Sequence, residues 1–360
     1  MDLLTRLKKR ELEMETVASM KSTSLIGGNL TAPSHPSKWK CDRSNCQWIG
    51  FTEINGLYIY GSGTINAQGT KWWGSSNVNH TRKFLQGFVI AHSNHVHISD
   101  LTFINSPQMH MALERSTWVY VYNLTITAPG DSPNTDGIHI EHSTHVFISQ
   151  THIGTGDDCI SIGDGSLYLN ISMITCGPGH GISIGSLGIK GPYKTVENVY
   201  VSNVEFRGTS NGARIKTWQG GSGFARNIVF EHIRSIGSVQ PIIIDQYYCD
   251  HTHCKNQKSA VQISNIRYIY IYGTSKEDTM IHFACSETVP CKDIMCAIQK
   301  QHLVMERIHR LRQKANDTVG QVQSLQTELG RAKSSLQIAN ADNNRLLGQL
   351  DEAEKKRDEL

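Results

Sequence analysis

The chain has 360 residues, and its 35 Lys and Arg nearly balance 32 Asp and Glu. A net charge near +3 gives no electrostatic footprint for a nucleic-acid partner. No run of 18 apolar residues occurs, so neither a transmembrane helix nor a membrane partner is expected.

Residues 1–24 open the chain with Met1-Asp2-Leu3-Leu4-Thr5-Arg6. They read as a charged helical leader and not as a secretory signal. From 25 to 294 the pattern becomes short apolar alternations broken by Gly, Asn and Ser. Val96-Ile98-Leu101-Phe103 is followed by Val119-Val121-Leu124-Ile126 and by Val146-Ile148-Ile153. Leu167-Leu169-Ile174, Val199-Val201-Val204-Phe206 and Val261-Ile263-Ile266-Tyr268 repeat the motif, with a weaker copy at Ile228-Phe230-Ile233. Period-two alternation means strands, and a spacing of 21 to 33 residues means coils stacked on coils. The expected fold is all-β, a right-handed parallel β-helix.

Chemistry concentrates in the middle of this array. Asn134-Thr135-Asp136-Gly137, Gly156-Asp157-Asp158 and Gly179-His180-Gly181 each set polar groups beside a glycine. Asp136 to Asp157 is 21 residues and Asp158 to His180 is 22, about one coil each. Stacked coils would bring three carboxylates and an imidazole into one patch. Carboxylates that crowd together divide into protonated and ionised partners, as a general acid and a general base require. Arg214-Ile215-Lys216 puts two cations on one strand face, able to neutralise the acid cluster or to bind an anionic substrate.

Nine cysteines are many for a reducing compartment. Cys41 and Cys46, Cys249 and Cys254, and Cys285 and Cys291 form close pairs, and Cys159 and Cys176 lie one coil apart. Disulfides across tight loops, zinc ligands and free thiols are all open to such pairs, with zinc the weakest by spacing. Sequons at Asn29, Asn79, Asn123 and Asn170 add a secretory character that the first residues lack. From 295 to 360 proline is absent and apolar residues fall four and three apart. They run through Val304, Ile308, Leu311, Ala315, Thr318, Val322, Leu325, Leu329, Ala332, Leu336, Ala339, Asn343, Leu346, Leu350 and Ala353, with Asn343 at a core-type position. That pattern predicts a coiled coil able to self-associate or to bind a partner helix through 304–353. The closing Arg357-Asp358-Glu359-Leu360 resembles a retrieval tail only by composition.

In order and spacing, the four motifs at Asn134, Gly156, Gly179 and Arg214 resemble those of the polygalacturonases, the pectin-hydrolysing glycoside hydrolases. Ala32-Pro33-Ser34, Gly61-Ser62-Gly63-Thr64-Ile65-Asn66, Asn105-Ser106-Pro107-Gln108 and Ile243 to Cys249 resemble plant members. The resemblance implies hydrolysis of α-1,4 links in polygalacturonate with inversion, without cofactor or metal. It implies Asp157 as general acid, Asp136 and Asp158 as the water-activating pair, and about 6.5–9.5 Å between acid and base. His180 would support the acid. Arg214, Lys216, Asn134 and Tyr248 would bind substrate, with Tyr247 a rival for the last place. A Cys159–Cys176 disulfide would brace the site, and location would be secreted or cell wall. Against that pattern the leader lacks a signal, family-like sequence starts near Ser24, and the far end gives way to heptads. A truncated relative with a fused helix is therefore expected. A non-catalytic binding protein is the alternative, and a calcium-dependent lyase ranks last because no calcium-type loop is present.

Overall fold

The computed structural model describes residues 22–39, 46–73, 85–249 and 254–298, with a set of residues between 318 and 348. The first group forms one compact unit and the last belongs to a second, divided after Gln299.

The first unit is a parallel β-helix. A 9-stranded sheet runs through Met109–Glu114, Ile138–Glu141, Ile160–Ile162, Ile182–Leu187, Asn211–Trp218 and Gln240–Tyr248. A 14-stranded sheet carries the longer strands, among them Thr117–Tyr122, Thr144–Gly154, Ser166–Cys176 and Tyr193–Arg207. Neighbouring coils pair in register. On the larger sheet Val96, Val119, Val146, Leu169, Val199, Ile228 and Ile266 stack as one inward column. On the smaller sheet Met111, Ile138, Ile160, Ile182, Ala213 and Ile242 form another. All of these side chains are buried. The apolar alternation is thus the inner wall of the solenoid, and every second residue faces out.

Bends within the strands of the larger sheet use a device that the sequence does not advertise. Trp118, His145, Tyr168 and Asn198 occupy the left-handed region, with φ between 54 and 57°. Three of these are bulky residues for which that conformation is unfavourable. Stacking across coils offsets the strain: the Trp118 and His145 rings lie 4.2 Å apart, and those of His145 and Tyr168 5.0 Å. His97 likewise sits between Tyr58 and Tyr120, at 4.5 and 4.6 Å.

Two boundaries differ from expectation. Ser22–Leu25 is a strand paired with Leu57 to Tyr60, so residues 22–24 belong to the solenoid and not to a helical leader. The last strand, Lys292–Ile298, runs past 294, because Ile294 and Cys296 continue the columns of Ile266 and Tyr268. Residues 1–21 lie outside the described residues. In the second unit the described residues, including Val322, Leu325, Leu329 and Leu336, are helical and exposed. Thr318 and Ala332 share that state, and the remaining heptad positions, Asn343 included, fall outside the described residues.

Disulfides with both cysteines among the described residues are Cys159–Cys176, Cys249–Cys254 and Cys285–Cys291. Cys46 is also disulfide-bonded, while Cys41 lies outside the described residues. The Cys159–Cys176 bridge ties the residue after Asp158 to the strand end that leads to His180. Replacing both cysteines with alanine is expected to cost about 2–4 kcal/mol in urea unfolding. An unchanged midpoint and slope would show that the bridge carries no stability.

Candidate active site

The three motifs sit where the smaller sheet meets its loops, and backbone bonds tie each to the next coil. Gly137 N–H donates to Asp158 O at 2.9 Å, Cys159 N–H to Gly181 O at 2.8 Å, and His180 N–H to Asp157 O at 2.8 Å. Thr135 Oγ1 accepts from Gly156 N–H at 3.0 Å and lies 2.6 Å from Ser132 Oγ, locking the first turn onto the second. A Cβ on Gly137 would stand 2.5 Å from Cys159 O, so the glycine there is required by close approach.

These ties bring Asp136, Asp157, Asp158 and His180 together, and each carboxylate has a different environment. Asp158 is 2% exposed and accepts on both oxygens. Ser183 Oγ donates to Oδ1 at 2.7 Å, Arg214 Nη2 to Oδ1 at 2.6 Å, and Lys216 Nζ to Oδ2 at 3.0 Å. Arg214 Nε also donates to Ser183 Oγ at 2.8 Å. Arg214 and Lys216 are therefore nearly buried counter-charges in direct contact with an acid, and not loose surface cations.

Asp157 faces outward, with its side chain 22% exposed, and its Oδ1 lies 3.0 Å from His180 Nδ1. Burial alone would raise this carboxyl. The His180 hydrogen bond, the charges of His180 and Lys216, and the Asp158 N–H outweigh it and hold the group below its ordinary value. His180 is raised in turn, first by its bond to Asp157 and then by the charges of Asp157 and Asp158.

Asp136 is the opposite case. Burial, then the charges of Asp157 and Asp158, push its carboxyl up to about 7, against a hydrogen bond from Ser161. Its backbone oxygen accepts from His110 N–H at 2.8 Å and from the ring at 3.0 Å. His110 Nε2 accepts from Ser106 N–H, so its proton sits on Nδ1, and burial lowers its pKa to about 4. The proton-holding carboxylate of this arrangement is thus Asp136, whereas the family resemblance gives the acid role to Asp157.

Of the expected binding residues, Tyr248 lies beside the site: Lys216 Nζ is 5.4 Å from its ring, which meets Trp218 edge-on at 5.3 Å. Tyr247 is 38% exposed and turned to Glu287, whose N–H it accepts at 3.2 Å. Asn134 is exposed in a left-handed turn, with φ 54°. Asp157, Asp158 and His180 lie close enough to share a cation, but their donor atoms are engaged with one another and with Arg214 and Lys216.

Sequence reasoning missed Ser161, Ser183, His110 and His139. The two serines occupy the same phase of successive Ile-Ser-Ile triplets, beside the acids. That recurrence was the available signal. His139 is half-buried, and its Nδ1 lies 2.8 Å from Ser161 Oγ. No local pattern marks His110.

Residues 6–300 match the profile of glycosyl hydrolases family 28, so the match begins well before Ser24. A probable polygalacturonase of Arabidopsis thaliana is 48% identical over 282 residues, covering 77% of this chain and 60% of the relative. A polygalacturonase of Malus domestica is 42% identical over 293 residues, covering 79% and 63%. The chain thus spans about three-fifths of the length of these relatives. Among solved structures, endo-xylogalacturonan hydrolase from Aspergillus tubingensis superposes with a TM-score of 0.66 at 23% identity, covering 77% of this chain and 78% of its own. Polygalacturonase from Erwinia carotovora gives 0.58 at 23%, covering 79% and 83%, and both likenesses speak for the fold alone. With the β-helix, the in-register acid motifs and a profile match over most of its length, the chain belongs to glycosyl hydrolases family 28.

Proposed function

We propose that this chain hydrolyses the α-1,4 bonds between galacturonic acids of pectic polysaccharide, with inversion. One observation supports the reading above the others. Asp136, Asp157, Asp158 and His180 come from successive coils into one patch, with Arg214 and Lys216 paired to Asp158. The relatives named polygalacturonase support it independently.

The roles follow from exposure and charge. Asp157 is more open than Asp136 and Asp158 and reaches a bound glycosidic oxygen most easily. Its depressed carboxyl is a poor acid alone, but His180 holds a proton against it. That proton crosses from Nδ1 to Asp157 and on to the leaving oxygen, so the pair acts as one acid. Asp136, once ionised, is a strong base because its neighbours disfavour the charge. Asp158 shares the attacking water with it and is fixed by Ser183, Arg214 and Lys216. Arg214 uses two of its five N–H groups on Ser183 and Asp158, leaving donors for a substrate carboxylate. Tyr248 offers a ring face beside Lys216 for the sugar.

Exposed sequon residues Asn29, Asn123 and Asn170, together with the disulfides, support a secreted or cell-wall location. Among the described residues no helix is long and apolar enough to cross a membrane. The exposed Val322, Leu325, Leu329 and Leu336 support self-association through the helix of the second unit.

Asp157→Asn removes the group that hands the proton on. It is expected to cut reducing-end release from polygalacturonic acid by about 10²–10⁴-fold with the fold intact by circular dichroism. Retained activity in that variant would overturn the acid assignment. The pH profile tests the pair. A proton held by a raised His180 is lost as pH rises through that raised value, so the alkaline limb of kcat/KM belongs to it. His180→Asn leaves the proton to a carboxylate alone and is expected to lower kcat and move the alkaline limb to lower pH. An alkaline limb that stays in place would rule out the shared proton.

A further inference from the structure

The carboxylates assigned to water activation are held in the same way on successive rungs. Ser183 donates to Asp158, and its lone pair is occupied by Arg214 Nε at 2.8 Å. One rung earlier, in register with Ser183, the Ser161 hydroxyl lies beside the Asp136 carboxyl and favours its ionised form. The Ser161 oxygen lies 2.8 Å from Nδ1 of His139, which pairs with Ser161 across the coils. Once Asp136 is ionised, the Ser161 proton is turned to it, so Ser161 accepts from the imidazole and Nδ1 of His139 carries hydrogen. Nε2 of His139 then points to Glu141 Oε2 at 3.7 Å. Ser161 is buried and His139 half-buried, so neither geometry is a surface accident.

From these contacts we propose that His139 is a positioning residue for hydrolysis: through Ser161 it aims the Asp136 carboxylate and sets the pH at which that carboxylate ionises. The proposal rests on the hydrolase reading above. The arm on Asp158 ends in a guanidinium, which stays charged at every working pH. The arm on Asp136 ends in an imidazole, which does not. One water-activating carboxylate is thus held permanently and the other conditionally.

The charged groups around His139 come from several elements. Glu141 lies on its own strand, Glu114 on the preceding strand opposite Glu141, and Asp136 in the turn before. On the following strand it meets the Ser161 hydroxyl, and Ser183 and Arg214 continue the column beyond. Burial opposes the imidazolium, but Glu141, Asp136 and Glu114 outweigh it and hold His139 above its ordinary value. His142, which also approaches Glu141 at 3.8 Å, is turned mainly to Asp164 at 3.6 Å.

The test compares His139→Asn, which keeps a donor near the Nδ1 position, with His139→Ala, which does not. His139→Ala is expected to lower kcat about tenfold with KM nearly unchanged, and His139→Asn to recover most of it. In His139→Asn the acid limb of kcat/KM is expected to move to higher pH, because Asp136 loses a cation that favours its ionised form. An acid limb that stays put in His139→Asn, or equal kcat in both variants and the parent, would overturn the proposal. The second readout needs no activity: the His139 imidazole resonance, titrated by NMR, is expected to shift to lower pKa in Asp136→Asn. If the parent chain fails to hydrolyse polygalacturonate, the functional reading falls and this titration still decides the coupling. A His139 titration identical in parent, Asp136→Asn and Ser161→Ala would overturn it.

Discussion

Register between parallel coils is the constraint on which everything else depends. Each coil places its neighbour's equivalent residue directly alongside, so inward columns of Val, Ile and Leu form the core and outward columns form the surface. A slip of one residue on Ile160–Ile162 would turn Ser161 inward and expose Ile160 and Ile162. The same register delivers Ser161, Ser183 and Arg214 to one outward column and sets Asp157 and Asp158 beside it. Catalytic geometry is thereby bound to core packing, and a change that weakens one weakens the other.

Within that frame the site is a problem in burying negative charge. Three carboxylates in one patch repel, and each loses water. Asp158 is relieved by two cations and a hydroxyl, Asp157 by an imidazole, and Asp136 by retaining its proton. This makes Arg214 and Lys216 more than substrate ligands. Without them Asp158 would be an unpaired buried charge, a change that costs about 3–5 kcal/mol when one partner of such a pair is removed. In the proposed reading their residual donors hold an acidic sugar, so that one set of residues would both stabilise the site and select the substrate.

Much of this was legible in the sequence. The columns at Val119, Val146 and Val199 appear as period-two alternation, and the acids repeat at the coil spacing, because both follow directly from stacking. The Cys249–Cys254 and Cys285–Cys291 bridges fall among the close pairs, and Cys159–Cys176 joins the two cysteines that lie one coil apart. What escaped was whatever depends on side-chain partners. Left-handed bends at Trp118, His145 and Tyr168 look like ordinary strand residues until their rings are seen to stack between coils. Arg214 and Lys216 read as cations for the acids or for substrate, and only the third dimension reveals that Asp158 is the acid they hold. His139 sits among several histidines on strands and turns and is singled out only by Ser161. At 295–298 helix-forming composition outweighed the alternation of Ile294 and Cys296, and the strand won because its partner column was already in place.

The division of protons among the three carboxylates is tested most directly by following their side-chain carbons in ¹³C NMR titrations of the parent chain and of Asp136→Asn. One carboxyl is expected to titrate at about 7 in the parent, far above the ordinary range, and to vanish in the variant. A parent chain whose Asp136, Asp157 and Asp158 carbons all titrate in the ordinary carboxylate range would contradict the division and the roles built on it.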